Sequence, residues 1–247
     1  MMVPRSLAGL LAVATLALAR TPAGFRPASN VDLIVEYNGV TPLNGVVVAR
    51  NTTIPQPRIG TLARLTGTSY AVLMIDLDIP TNTPPATNTL LHWMQTGLTP
   101  ATTATRINTA SGTLSVFLLE NSTNTAPILG YFGPNPPART PLSHRYTQIL
   151  VDTSDIDPED ITVLRTAAAT IVGFNALTVL TAADLEDEVV AGNSFNVTNA
   201  GPVNDTATGG GGGSTTSTTS GSPTSSPTGG SFTTARDFKV VNIGMRN

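Results

Sequence analysis

Two histidines and a pair of aspartates are the residues whose types and spacing could do chemistry in this chain. The only histidines among its 247 residues are His92, in the stretch Leu-Leu-His-Trp, and His144, in the stretch Ser-His-Arg-Tyr. Asp76 and Asp78 lie in the stretch Asp-Leu-Asp-Ile-Pro. A carboxylate beside an imidazole favours the protonated ring, which attracts phosphate or carboxylate ligands. We therefore expect a small polar pocket for an anionic ligand, with Asp76 orienting the rings and both histidines donating hydrogen bonds.

The same residues leave other interpretations open. An imidazole changes charge near pH 7 and can serve as a general acid or base, which makes Asp76, His92 and His144 candidate catalytic residues. Two histidines and two aspartates could also hold a metal ion. Asp78 could simply stabilise a turn, because aspartate is common in turn sequences. Arg145 is interpreted as a structural ion-pair partner.

Composition excludes several classes of function. The formal net charge is −3, the pI is about 5.3, and no cluster of basic residues is present, which argues against nucleic-acid binding. The chain has no cysteine, so disulfides, thiol catalysis and zinc–thiolate sites are excluded.

The amino-terminal sequence predicts a signal peptide over residues 1–19. Arg5 is followed by an apolar stretch over residues 7–18, and Ala17-Leu18-Ala19 fits a small-residue cleavage site. The alternative is a membrane anchor, but a span needs about 20 apolar residues, so we expect no transmembrane span. The predicted location is the secretory pathway or the exterior. Four glycosylation motifs agree with this, at Asn51, Asn121, Asn196 and Asn204.

The carboxy-terminal sequence predicts a disordered tail over residues 204–247. It contains the run Gly209–Gly213 and continues in serine, threonine and proline through residue 234. Such a composition cannot bury enough apolar surface to offset the entropy lost on ordering. It is typical of an O-glycosylated stalk. Residues 25–203 are left to form one domain.

Within that domain the pattern predicts a mainly β fold. Short runs rich in β-branched residues, bounded by glycine, proline and asparagine, predict strands. They lie at residues 31–37, 46–49, 70–75, 113–119, 145–151 and 194–197. Proline-rich loops are expected at residues 81–89 and 134–141. Asp157 and Pro158 begin a predicted helix that extends to Ile171, and Asn175 caps a second helix over residues 176–185.

Three ordered motifs resemble the phosphatidylethanolamine-binding protein (PEBP) family over about residues 28–200. Residues 76–80 are similar to a strand end that reads Asp-Pro-Asp-Ala-Pro in the family. Residues 90–93 are similar to its Trp/Tyr-x-His-Trp/Phe stretch, and residues 133–146 to its Gly-x-x-Pro-Pro loop ending in His-Arg-Tyr. The resemblance implies a β-sandwich of antiparallel sheets with a few peripheral helices.

The resemblance also implies a ligand pocket without metal or cofactor. Its lining would be Asp76, Asp78, Pro80, His92, Pro137, His144 and Tyr146. The sequence departs from the family at residues 139–143, which replace Gly-Thr-Gly with a loop one residue longer at the pocket rim. Leu77 and Leu90 also replace a proline and an aromatic residue.

The resemblance suggests a set of functions to choose from. Family members bind phospholipid headgroups, regulate kinase cascades, act as flowering signals or inhibit serine carboxypeptidases. The signal peptide argues against the cytosolic roles, and its cleavage would remove the acetylated amino-terminal segment that family inhibitors use. The chain resembles a fungal secreted branch, and some fungal members assist the cofactor-free dimerisation of maleic-anhydride polyketide monomers into maleidrides. We narrowly favour such a dimerising cyclase or its accessory protein over a passive phospholipid-headgroup or small-anion binder, or a carboxypeptidase inhibitor.

Overall fold

The structure, a computed structural model, describes residues 20–205 and confirms a mainly β fold. The strands are β1 (Ile34–Glu36), β2 (Val47–Val48), β3 (Arg58–Thr61), β4 (Tyr70–Pro80), β5 (Thr87–Pro100), β6 (Thr105–Thr109), β7 (Gly112–Glu120), β8 (Ser143–Asp152) and β9 (Val189–Thr198). The helices are α1 (Pro158–Ala168) and α2 (Ala176–Ala182), with 3₁₀ turns at Arg50–Thr53 and Glu186–Glu188. The predicted signal peptide and residues 206–247 of the predicted tail lie outside the described residues.

The strands pair side by side in one continuous order, and this order folds into two layers. Strands β5-β4-β8-β9-β2 make the first layer, and β1-β3-β7 with β6 on β7 make the second. The layers are joined where Thr99 and Pro100 of β5 pair with Glu120 and Leu119 of β7. The pairing is antiparallel except between β2 and β9, which are parallel. The predicted sandwich is therefore present, with one parallel pair at its edge.

Alternation along β4 decides which side chains enter the space between the layers. Successive side chains of a strand point to opposite faces. Tyr70, Val72 and Met74 belong to the core between the layers, whereas Ala71, Leu73 and Ile75 pack under the helices. Asp76 continues the first series and is 2% exposed. The acidic end of β4 is thus placed inside the sandwich rather than on its surface.

Both predicted helices are present on the outer face of the first layer but are shorter than expected. Leu164 of α1 and Leu180 of α2 are fully buried there. Asn175 caps α2 by accepting a hydrogen bond from the Thr178 N–H at 3.0 Å, as predicted. The Asp157 side chain makes no capping hydrogen bond to α1. Asp184 has a φ of 51°, a left-handed conformation that cannot continue α2 to residue 185.

The strand that carries His92 was not predicted. β5 has 14 residues, and its pairing with β4 contains three register shifts. At each shift the buried side chains of β5 change to the other face of the strand. The sequence of β5 therefore lacks the regular alternation of apolar and polar residues from which a strand is predicted. β3 and β6 were also missed. Among residues 20–205, the structure contains no helix long and apolar enough to cross a membrane.

Candidate functional site

Three neighbouring strands bring the predicted site residues together. β4 lies between β5 and β8, and Asp76 of β4 is in register with Leu90 of β5 and Tyr146 of β8. His92 follows two residues after Leu90, and His144 lies two residues before Tyr146 on the same face of β8. Both rings therefore lie beside the end of β4 although they are distant in sequence.

His144 is paired with Asp76 inside the sandwich. The His144 Nδ1 atom lies 2.7 Å from Asp76 Oδ2, and the two side chains are 0% and 3% exposed. Because an ionised carboxylate only accepts, Nδ1–H donates and the Nε2 atom of His144 remains for another partner. That Nε2 atom is buried and has no hydrogen-bond partner. Asp76 therefore contacts the His144 ring directly, which is one of the two rings that the sequence analysis expects it to orient.

His92 is held by backbone rather than by a carboxylate. Its Nδ1 donates to the Phe132 carbonyl at 2.8 Å, and the Phe132 N–H donates back to the His92 carbonyl at 3.1 Å. Burial lowers the pKa of His92, although the Phe132 carbonyl and nearby Asp76 oppose the shift. A neutral ring with hydrogen on Nδ1 presents a lone pair at Nε2. A neutral His92 ring therefore accepts at Nε2, which differs from the expectation that both histidines donate.

The buried environment of His92 predicts a specific pH dependence. A histidine whose pKa falls on folding binds its proton more readily in the unfolded chain, so stability is complete above pH 6.5, the ordinary pKa. Stability should decline as the pH falls from 6.5 towards the lower folded value. In a carbon–proton NMR titration of the folded protein, the His92 Cε1–Hε1 signal should have its midpoint below pH 6.5, and His92→Gln should flatten the stability profile in that window. A midpoint above 6.5 would show that the ring is not held neutral.

Tyr146 lies between the two histidines. Its ring centroid is 5.3 Å from that of His92 and 6.5 Å from that of His144, and its other neighbour is Phe195 at 5.6 Å. The hydroxyl is buried and forms no hydrogen bond of full geometry, although the Asp76 carboxylate and the Asn135 N–H lie near it. Burial and the charge of nearby Asp76 raise the pKa of Tyr146 well above its ordinary value, so the hydroxyl stays protonated and can donate. The Tyr146 hydroxyl is thus a hydrogen-bond donor that lies beside the two imidazole rings.

Asp78 links β8 to the end of β4 through hydrogen bonds to Arg145 and Asp76. The Arg145 N–H and Nε both donate to Asp78 Oδ2, and Arg145 Nη2 donates to Oδ1, each at 2.8 Å. Burial raises the pKa of the Asp78 carboxyl, but these hydrogen bonds and the charge of Arg145 outweigh it, and the pKa is lowered. The Asp78 N–H in turn donates to Asp76 Oδ1 at 2.8 Å. The interpretation of Arg145 as an ion-pair partner is confirmed.

The loop over residues 134–142, here named the rim loop, contains most of the segment that departs from the family motif and makes several hydrogen bonds to its surroundings. Arg139 Nη2 donates to the Thr81 carbonyl at 2.8 Å, which links the rim loop to the turn after β4. Thr140 N–H donates to Asp205 Oδ1 at 2.8 Å, so the start of the predicted tail contacts the rim. Of the two predicted proline contacts, Pro80 is half-buried at the end of β4 and Pro137 is exposed on the rim loop. Asp76, His92, His144 and Tyr146 are at most 3% exposed.

Two participants were not found from the sequence. The Phe132 carbonyl fixes His92, but a backbone contact between residues 40 positions apart leaves no mark on residue type. Arg139 lies in the segment recognised as departing from the family motif, and its role became visible only from the Thr81 contact.

The predicted glycosylation sites differ in exposure. Asn51, Asn121 and Asn204 are exposed. Asn196 is half-buried in β9, and its Nδ2 donates to the Gly45 carbonyl at 2.9 Å. A glycan attaches to that nitrogen, so Asn196 offers the poorest access of the four.

Comparison with known proteins assigns the family. The family model for phosphatidylethanolamine-binding protein matches residues 28–196. The chain belongs to this family. All PEBP motif residues of the site, from Asp76 to Tyr146, lie within the match. Among residues 20–205, no group of three or more histidine, cysteine or acidic side chains is arranged to hold a metal ion.

Several solved structures are similar to this PEBP chain. A carboxypeptidase Y inhibitor, crystallised with its cognate proteinase, is 16% identical with a TM-score of 0.48, over 69% of this chain and 84% of that chain. The PEBP of Plasmodium vivax is 20% identical with a TM-score of 0.46, over 70% of this chain and 90% of that chain. The Plasmodium falciparum protein is 20% identical with a TM-score of 0.48, over 72% and 88%. A search of curated proteins found no match.

Proposed function

We propose that this protein binds a small oxyacid, such as a phosphate or phosphate monoester, among His92, His144 and Tyr146. The observation that supports this is a cluster of three buried polar atoms: the Nε2 atoms of both histidines, which have no partner, and the Tyr146 hydroxyl, which lies near Asp76 and the Asn135 N–H without forming a hydrogen bond of full geometry. Leaving a buried polar group unsatisfied costs about 1–3 kcal/mol. A ligand that satisfies all three would recover much of that cost.

The ligand must offer both hydrogen-bond acceptors and a hydrogen-bond donor. The Tyr146 hydroxyl donates, so it requires a ligand oxygen. The neutral His92 ring accepts at Nε2, so it requires a ligand O–H or N–H. Hydrogen phosphate carries both, whereas a fully ionised anion carries only acceptors. A phospholipid headgroup and a free phosphate share this chemistry, and both remain within the proposal.

Phosphate and sulfate have similar shapes, but near pH 7 only phosphate carries an O–H group. A comparison of the two ions therefore tests this proposal directly. In calorimetric titrations near pH 7, inorganic phosphate should bind about tenfold or more tightly than sulfate, because a sulfate oxygen would face the His92 lone pair. His92→Gln can place an amide N–H at that point and should reduce or reverse the preference. The exposed-site variant Arg58→Gln is the control and should retain it. Absence of binding heat for millimolar phosphate would contradict the proposal.

A second candidate is assistance in the cofactor-free dimerisation of maleic-anhydride monomers along the secretory route. The observation that favours it is the neutral, buried His92, whose Nε2 could accept a proton from a carbon beside a carbonyl. The Tyr146 hydroxyl could then stabilise the oxygen on which charge develops. Product yield from purified monomers should fall in His92→Gln. A yield indifferent to the protein and to the substitution would remove this candidate. Nothing among residues 20–205 specifically favours carboxypeptidase inhibition.

A further inference from the structure

A second concavity lies away from the histidine site, and we name it the outer groove. It has a volume of about 1050 Å³, and its walls come from Asp32, Thr52, Leu62, residues 39–43, 46–49 and 108–111, and from Ile34 of β1 and Leu114 of β7. None of the residues assigned to the histidine site lines it. Ligand sites of proteins commonly measure about 300–1000 Å³, so the groove is large enough for a small molecule.

The walls of the outer groove are mainly apolar and unusually exposed. Val47 is 66% exposed, Val46 48%, Leu62 46% and Val40 43%. They adjoin Leu114, which packs on the small core of the second layer. A contiguous exposed apolar patch on a soluble domain commonly marks a binding surface. The groove therefore favours an occupant with an apolar body.

A single charged group in the wall specifies the polar end of that occupant. Asp32 is the one ionisable residue in the described lining of the groove, and no basic side chain lines it. The Asp32 Oδ1 atom is buried without a hydrogen-bond partner. Arg20 lies close enough to influence Asp32 electrostatically but forms no ion pair with it. The Asp32 side chain as a whole is only half-buried and lines the groove, so a cation with N–H donors can approach its carboxylate there.

We propose that the outer groove binds an amphiphilic amine, with its apolar body along Val46, Val47 and Leu62 and its ammonium group at Asp32. This site prefers a cation, whereas the histidine site is proposed to prefer an oxyacid. The two sites can therefore be tested separately on the same protein.

Octylamine and 1-octanol share an apolar body and differ in charge, so we choose them as probes for calorimetry at neutral pH with residues 20–247. Octylamine should bind about tenfold more tightly than 1-octanol, the ratio expected for a hydrogen bond to a charged group. Asp32→Asn should remove this preference while 1-octanol still binds. Val47→Ser, at a largely exposed position, should weaken both probes equally.

His144→Ala is the control for the histidine site and should leave octylamine binding unchanged. Equal affinity for the two probes, or a preference that survives Asp32→Asn, would overturn the assignment of Asp32. Failure of both probes to bind would overturn the groove itself. Either failure would leave the phosphate result at the histidine site unaffected.

Discussion

Replacing Asp76 with alanine should lower the free energy of unfolding by about 2–6 kcal/mol, because two buried donors lose their acceptor and each unsatisfied group costs about 1–3 kcal/mol. Asp76 accepts hydrogen bonds from the His144 Nδ1 and the Asp78 N–H, and both donors are buried. Alanine leaves both without an acceptor in a region where water does not reach them. Urea denaturation of wild type and Asp76→Ala would measure the difference.

Two further variants serve as comparisons for the Asp76 experiment. Asp76→Asn retains an acceptor oxygen and should lose less stability than Asp76→Ala. Asp155→Ala removes a carboxylate from an exposed position, and it should leave the denaturation midpoint unchanged. If Asp76→Ala were no more destabilising than Asp155→Ala, the pair with His144 would not contribute to the fold as described.

Removing only the Tyr146 hydroxyl should separate binding from stability. Tyr146→Phe should weaken phosphate binding about tenfold, because the ligand loses a buried donor. Stability should change by less than about 1 kcal/mol, since the hydroxyl forms no hydrogen bond of full geometry with nearby Asp76 or the Asn135 N–H. Calorimetry and urea denaturation on the same sample would give both quantities.

Tyr37→Phe is a matched control, because it also removes a buried tyrosine hydroxyl. The Tyr37 hydroxyl accepts a hydrogen bond from Gln148 Nε2 at 3.1 Å and lies outside the histidine cluster. Its loss should cost about 1 kcal/mol of stability and leave phosphate affinity unchanged. The reverse pattern, with Tyr146→Phe destabilising the protein and leaving affinity intact, would give Tyr146 a structural role only.

The sequence was informative where a motif and a regular period coincide. The alternation along β4 and β8 sets Asp76 and His144 on one face, and the family motifs indicated that those residues meet. The mainly β fold and both helix positions followed from the same kind of regularity. Arg145 was anticipated as an ion-pair partner, but neither the identity of its partner, Asp78, nor the three hydrogen bonds between them was predicted.

Features that depend on how distant segments meet could not be predicted. Burial lowers the pKa of His92, and the Phe132 carbonyl fixes the ring hydrogen on Nδ1. Residue type alone reveals neither effect. The outer groove exists because residues 39–49 approach the β6–β7 turn, and the sequence gives no sign of that approach. Irregular pairing likewise concealed β5, the strand that positions His92.

The most direct test of the site uses the fact that this chain contains only two histidines. A carbon–proton NMR spectrum of the imidazole Cε1–Hε1 groups therefore holds two signals, one from each side of the proposed ligand. During titration with inorganic phosphate, both signals should shift along the same saturation curve, because one ligand contacts both rings. If neither signal moved, or if only one did while phosphate bound, His92 and His144 would not share a ligand and the proposed site would be contradicted.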